Sequence, residues 1–66
     1  MIVTYEGDVT KGQQFLQEAE LDYRRFASHP EMGGSFAVRY EQNGVVADVT
    51  IHTGRGLDRI HIRVLD

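Results

Sequence analysis

The sequence predicts an α+β domain in which a single helix packs on one face of a mainly antiparallel four-stranded sheet, with the elements in the order β-α-β-β-β. Three observations predict it. Asn43-Gly44 separates two runs that alternate apolar and polar residues, the strongest short signal of a β-hairpin. Residues 10–28 instead space their apolar side chains as one face of a helix, and residues 58–65 alternate again. Packing the helix on the sheet buries both apolar surfaces.

Length and composition limit the possible classes of protein. The chain of 66 residues is one domain, residues 1–66, and a core of this size gives little net stability. Cysteine is absent, which excludes disulfides and thiolate-bound zinc. Apolar runs are too short to cross a bilayer and no signal-peptide pattern is present, so we expect a cytoplasmic protein without membrane contact. The net charge of -3 disfavours a general nucleic-acid coat, which carries a basic surplus.

The N-terminal segment predicts a strand followed by a helix start. Residues 1–6 are rich in β-branched and aromatic side chains and end at Gly7, which predicts a short strand whose neighbour in the sheet is left open. Thr10 followed by Gln13 has the form of a capping box, with Asp8 as the alternative N-cap. We therefore expect one continuous helix from about this point.

One face of that helix is apolar and predicts the core contact with the sheet. The stripe consists of Gly12, Phe15, Leu16, Ala19, Tyr23, Phe26 and Ala27. The helix should end near Ser28, because Pro30 makes His29 a poor helical residue. Residues 29–34 then form a turn-rich connector into the hairpin.

The Asn43-Gly44 turn also predicts the register of the strand pair. A two-residue loop places Gln42 opposite Val45, and alternation then sets Phe36 opposite Ile51. In this register, the apolar side chains that alternate along the two strands all lie on the same face of the sheet. The pairing therefore agrees with the hydrophobic pattern.

A second hairpin loop is predicted at residues 54–57, followed by a strand over residues 58–65. Matching the apolar faces of this strand and its predecessor places Asp48 between Arg39 and Arg63. The three strands form an antiparallel meander, and the N-terminal strand adds the fourth.

The sheet face away from the helix is the candidate binding surface, because its residues are not needed for the core. The predicted partner-binding residues are Arg39, Val46, Asp48, His52, Arg59, His61, Arg63 and Leu65. Two arginines beside a shared carboxylate suit a phosphate or an acidic partner, and equally suit cross-strand ion pairs of a few tenths of a kcal/mol each. Val46 opposite Leu65 forms a small apolar pair of the kind that marks interfaces.

Catalysis and metal binding are not expected. His52 and His61 are diagonal neighbours, so a two-histidine metal site with Asp48 further along is geometrically conceivable, but nearby arginines oppose a cation. Ser28 and Ser35 are the only serines, and neither lies in a nucleophile-elbow pattern. We expect no cofactor and no enzymatic activity.

The predicted function is therefore binding. We expect a small interaction module, a regulator or inhibitor that acts on a protein partner, with homo-oligomerisation left open. Acidic domains of this size occur among phage and mobile-element proteins that disable host machinery, and that origin is suggested by analogy alone. The alternative is a nucleic-acid-binding domain that uses the arginines and histidines of the exposed sheet face. Sheet-based RNA recognition normally stacks bases on exposed aromatic rings, whereas Phe36 and Tyr40 point into the core.

Overall fold

The computed structural model describes residues 1–28, 34–54 and 56–65. In chain order, the elements are β1 (Ile2–Glu6), α1 (Val9–Gln13), α2 (Leu16–Ala27), β2 (Gly34–Gln42), β3 (Val45–Thr53) and β4 (Arg59–Leu65). Most of the predicted connector at residues 29–34, and Arg55 in the predicted loop at residues 54–57, lie outside the described residues. The α+β class and the placement of the helical segment between the first and second strands agree with the sequence prediction.

The four strands form one mixed sheet in the order β1-β4-β3-β2. Strands β2, β3 and β4 form the predicted antiparallel meander, and β1 lies parallel to β4 at one edge. The neighbour of the first strand, which the sequence left open, is thus β4. The parallel register aligns the two faces of β1 with those of β4. Val3 and Tyr5 therefore lie on the core side of the sheet, and Ile2, Thr4 and Glu6 lie on the opposite side.

Both hairpin registers are as predicted. Gln42 lies opposite Val45 and Phe36 opposite Ile51, across a turn in which Asn43 has φ 56° and Gly44 has φ 75°. These positive values at both turn positions define the type I′ geometry whose twist matches that of the strands. Asp48 pairs across the sheet with Arg39 on one side and Arg63 on the other.

The predicted single helix is in fact two helices, which corrects the sequence prediction. Helix α1 is capped by Asp8, whose side chain accepts a hydrogen bond from the Lys11 backbone N–H at 3.0 Å. The capping box from Thr10 is not formed, because Thr10 already lies inside α1. The Phe15 N–H then bonds to the Gly12 carbonyl at 3.0 Å, an i to i−3 bond that tightens the chain before α2 begins.

The two helices contact overlapping sets of strands, α1 lying against β1 and β4 and α2 against β3 and β4. Gly12 of α1 lies so close to β1 and β4 that a Cβ there would be 2.9 Å from the Tyr5 ring and 3.3 Å from a Val64 methyl carbon. Phe15, three residues later, is 1 % exposed in the core. Both residues therefore face the sheet, as their places in the predicted apolar stripe require.

The core lies between α2 and the central strands. Its buried members are Phe15, Ala19, Ala47, Val49, Ile51, Ile60 and Ile62. Leu16, Tyr23 and Phe26 of the predicted stripe are half-buried against this cluster, and the Phe26 and Phe36 rings lie 4.6 Å apart. Ala27 is exposed, which is a further correction: at the C-terminal end of α2 it is Phe26, and not Ala27, that packs against the sheet.

Candidate functional site

The candidate site is the sheet face opposite the helices, here called the open face. The register arranges it in four rows across the strands. The rows are Ile2, Arg59, His52 and Ser35; Thr4, His61, Thr50 and Ala37; Glu6, Arg63, Asp48 and Arg39; and Leu65, Val46 and Glu41. All eight residues predicted from the sequence as partner-binding therefore lie on this face. Strand β1 adds three residues that the prediction did not include, because its neighbour was unknown.

A row of alternating charge crosses the whole sheet. Arg39 donates two hydrogen bonds to Asp48, from Nε to Oδ1 at 2.7 Å and from Nη2 to Oδ2 at 3.0 Å. Arg63 lies on the other side of Asp48 but pairs with Glu6, Nε to Oε2 at 3.4 Å. The bidentate bond from Arg39 lowers the pKa of Asp48 and raises the pKa of Arg39. The pairing therefore favours the ionised forms of both Asp48 and Arg39.

His61 is held in place by two residues of β1. Its Nδ1 lies 2.7 Å from the Thr4 hydroxyl oxygen, and its Nε2 lies 3.1 Å from Glu6 Oε1. Glu6 thus contacts both His61 and Arg63. These contacts orient the imidazole ring and leave neither ring nitrogen turned freely outward.

The two-histidine metal site considered from the sequence does not assemble among the described residues. No group of three or more His, Asp or Glu side chains within residues 1–28, 34–54 and 56–65 is arranged to hold a metal ion. His61 already uses both ring nitrogens, and His52 lies beside Arg59 in the next row.

Several exposed apolar side chains lie near the start of β1 and β4, and of these the register places Ile2 on the open face. Met1 is 60 %, Ile2 48 % and Leu57 53 % exposed, and the Ile2 N–H bonds to the Asp58 carbonyl at 3.0 Å, so all three lie near the start of β1 and β4. The predicted pair of Val46 and Leu65 does face across β3 and β4, but at the opposite end and half-buried. On the open face, Ile2 is thus more exposed than the predicted pair, and the sequence analysis did not single it out.

Two open depressions mark the centre of the face. One, of about 500 Å³, lies over the charged row and includes Glu6, Asp48 and Arg63 in its lining. The other, of about 440 Å³, is lined by Thr4, Ser35, Thr50, His52, Arg59 and His61. The residues that line the second carry hydroxyl, imidazole or guanidinium groups, and one of them, Arg59, is paired with Ile2.

Two tyrosine–aspartate hydrogen bonds on the helix side connect α2 to the sheet. Tyr23 donates to Asp58 just before β4, and Tyr40 of β2 donates to Asp22. The bond from Tyr23 lowers the pKa of Asp58, and burial, reinforced by the bond to Asp22, raises the pKa of Tyr40. Sequence reasoning missed both pairs, although a half-buried tyrosine on a core stripe requires a partner for its hydroxyl. These two hydrogen bonds attach α2 to the side of the sheet opposite the open face.

Comparison with known proteins identifies no relative of this chain. The chain matches no protein-family model, and no curated protein or solved structure is significantly similar to it. Within the described ranges, neither helix has the length and apolar character needed to cross a membrane.

Proposed function

We propose that the protein is a small non-enzymatic module that binds another protein through the open face of its sheet and acts as a regulator or inhibitor. The observation that carries the proposal is Ile2, an apolar residue that is 48 % exposed on that face opposite Arg59, with the exposed Met1 beside it in the chain. Exposed apolar surface marks interaction sites, and arginine is enriched among the residues that contribute most to binding.

The remainder of the face suits the rim of such an interface. The charges of Glu6, Arg63, Asp48 and Arg39 are held by ion pairs within the sheet, so their geometry is fixed before a partner arrives. Fixed side chains lose little conformational entropy on binding. Their alternating signs would favour a partner with the complementary order of charges and disfavour others.

Charge balance on the open face disfavours nucleic acid as the ligand. Its described residues include three acids, Glu6, Glu41 and Asp48, and three arginines, Arg39, Arg59 and Arg63. Two of these arginines are already paired with carboxylates. Binding phosphates would require those pairs to open, and the face has no basic surplus to attract a polyanion.

A matched pair of variants tests the proposal. Ile2 and Val9 are both 48 % exposed, but Ile2 lies on the open face and Val9 lies in α1. Immobilised wild type, Ile2→Glu and Val9→Glu are used to capture proteins from cell extract, and the affinity of the purified captured protein is then measured for each. We expect Ile2→Glu to weaken that affinity at least about tenfold and Val9→Glu to leave it unchanged, because a charge buried in an interface without a partner is unfavourable. Equal affinity of all three would refute the proposal.

A further inference from the structure

Strand β2 forms the second edge of the sheet, and its outer side is unpaired within the described chain. It is nine residues long, whereas β1 at the other edge has five. A two-residue turn closes on a hydrogen-bonded pair, so alternate residues counted back from Gln42 bond to β3. The backbone N–H and C=O groups of Ser35, Ala37, Arg39 and Glu41 therefore point away from the sheet.

Strand β2 has few of the devices that usually protect a strand edge: its charged residues are Arg39 and Glu41, and Arg39 is already paired with Asp48 inside the sheet. It contains neither proline nor lysine, and its nine residues pair with β3 one to one without a bulge. Natural edge strands usually carry such features, because an unprotected edge pairs with another strand. Strand β2 is thus a template for strand addition.

The helices also leave the inner face of β2 incompletely covered. Phe36, Val38 and Tyr40 are half-buried, while their partners across β3, including Val49 and Ile51, are 0 % exposed. The apolar surface of the domain therefore extends to this edge. A neighbour that continued the sheet would cover it.

We propose that a second copy of this chain pairs with β2, antiparallel and about a two-fold axis at Val38, so that two four-stranded sheets become continuous. Val38 then faces Val38 of the partner subunit, and Phe36 faces Tyr40 of the partner subunit. On the open face, Ala37 faces Arg39 of the partner subunit. A two-fold axis perpendicular to the sheet keeps both helical layers on the same side.

This register is selected by the sequence of β2 itself. The outward-pointing backbone N–H and C=O groups of one strand must bond to those of the other. The two strands can therefore shift only by steps that keep these groups opposite each other. A register centred on Val38 pairs all nine residues, Gly34 to Gln42. A register centred on Arg39 sets two arginines opposite each other and pairs fewer residues, and like charges directly opposite are destabilising. The Val38 register instead sets aromatic rings opposite each other, which is favourable.

Hydrogen exchange of individual amides tests the pairing without any substitution. The amides of Phe36, Val38 and Tyr40 bond to β3 and should be protected at every protein concentration. We expect the amides of Ala37 and Arg39 to gain protection as concentration rises, in step with dimer mass measured by sedimentation equilibrium. A protein that stays monomeric at millimolar concentration, or that dimerises while these two amides exchange freely, would overturn the proposal.

Substitutions at Ala37 provide the second test. Ala37→Pro removes an outward-pointing N–H and leaves the bonds to β3 intact, as prolines at sheet edges do. We expect it to reduce dimer affinity at least about tenfold, and Ala37→Val, which keeps the N–H, to retain the dimer. Ala37→Glu should dimerise more tightly than Ala37→Arg, because the facing residue is Arg39 of the partner subunit. Equal dimerisation of the Pro and Val variants, or the opposite order of the Glu and Arg variants, would overturn the register.

Discussion

Tyr23 donates its hydroxyl hydrogen to the carboxylate of Asp58, and this bond joins the middle of α2 to the residue that precedes β4. The same carboxylate accepts from the Gly54 N–H at 3.3 Å. One aspartate therefore ties together the helix, the loop after β3 and the start of β4. The acceptor of this bond is the ionised Asp58 carboxylate, so the contribution of the bond to stability depends on pH.

The first prediction is that Tyr23→Phe lowers the melting temperature at pH 7 and that this effect shrinks as the pH falls below about 4. The pKa of Asp58 is lowered in the folded state, chiefly by the bond from Tyr23. The stabilisation is present above the unfolded aspartate value of about 3.9 and is lost as pH falls through the lower folded value. Thermal melts between pH 2 and pH 8 measure it. Tyr5→Phe, on β1 opposite Ile62, is the control and should show no such pH dependence.

The second prediction concerns whether replacing a glycine in a helix raises or lowers the free energy of unfolding. Alanine normally stabilises a helix interior by about 1 kcal/mol relative to glycine. At Gly12 we expect Gly12→Ala to lower the free energy of unfolding, because the new Cβ would lie 2.9 Å from the Tyr5 ring and α1 would have to shift. Denaturant unfolding measures the change. The control Ala27→Gly, at an exposed helical position, should show only the ordinary loss of about 1 kcal/mol. A more stable Gly12→Ala variant would contradict the close packing of α1.

The third prediction is that Gly44→Val destabilises the domain. Gly44 has φ 75°, and a β-branched residue is strained in that conformation. Gln42→Val, two positions earlier in the strand, is the control and should leave stability nearly unchanged. The melting temperatures of the two variants provide the comparison. An unchanged value for Gly44→Val would exclude the type I′ turn.

The fourth prediction is that Phe15→Ala removes about 3 to 5 kcal/mol of stability, as for other buried aromatic residues, and unfolds so small a domain. Leu21→Ala should change stability by no more than about 0.5 kcal/mol, because Leu21 is 39 % exposed on the same helix. Circular dichroism and amide dispersion in NMR spectra distinguish folded from unfolded chains. A folded Phe15→Ala variant would show that the centre of the core is misassigned.

The sequence predicted those parts of the fold that local rules determine. The Asn43-Gly44 turn has a single favoured geometry, and the period-two pattern then leaves one register for β2, β3 and β4. The same register predicted the face on which Arg39 and His61 lie. These features need no information beyond neighbouring residues in the chain.

Features that depend on distant contacts were not predicted. The position of β1 follows from packing beside β4, and no local pattern in residues 1–6 specifies that neighbour. Because β1 was unplaced, the contacts of Glu6 with His61 and Arg63 were also missed. The break between α1 and α2 was also not predicted, because a helical-wheel pattern contains no signal for the i to i−3 hydrogen bond between Phe15 and Gly12.

The most direct test of protein binding through the open face is the salt dependence of affinity, measured by titration for the captured protein and for single-stranded and duplex oligonucleotides. We predict that the protein complex responds weakly to salt and is weakened by Ile2→Glu and by Leu65→Glu. Oligonucleotide binding through Arg39, Arg59 and Arg63 would instead lose affinity log-linearly with salt, with a slope of about -2 to -3 for roughly three phosphates. Tight, salt-sensitive oligonucleotide binding that neither substitution changes would contradict the proposed function.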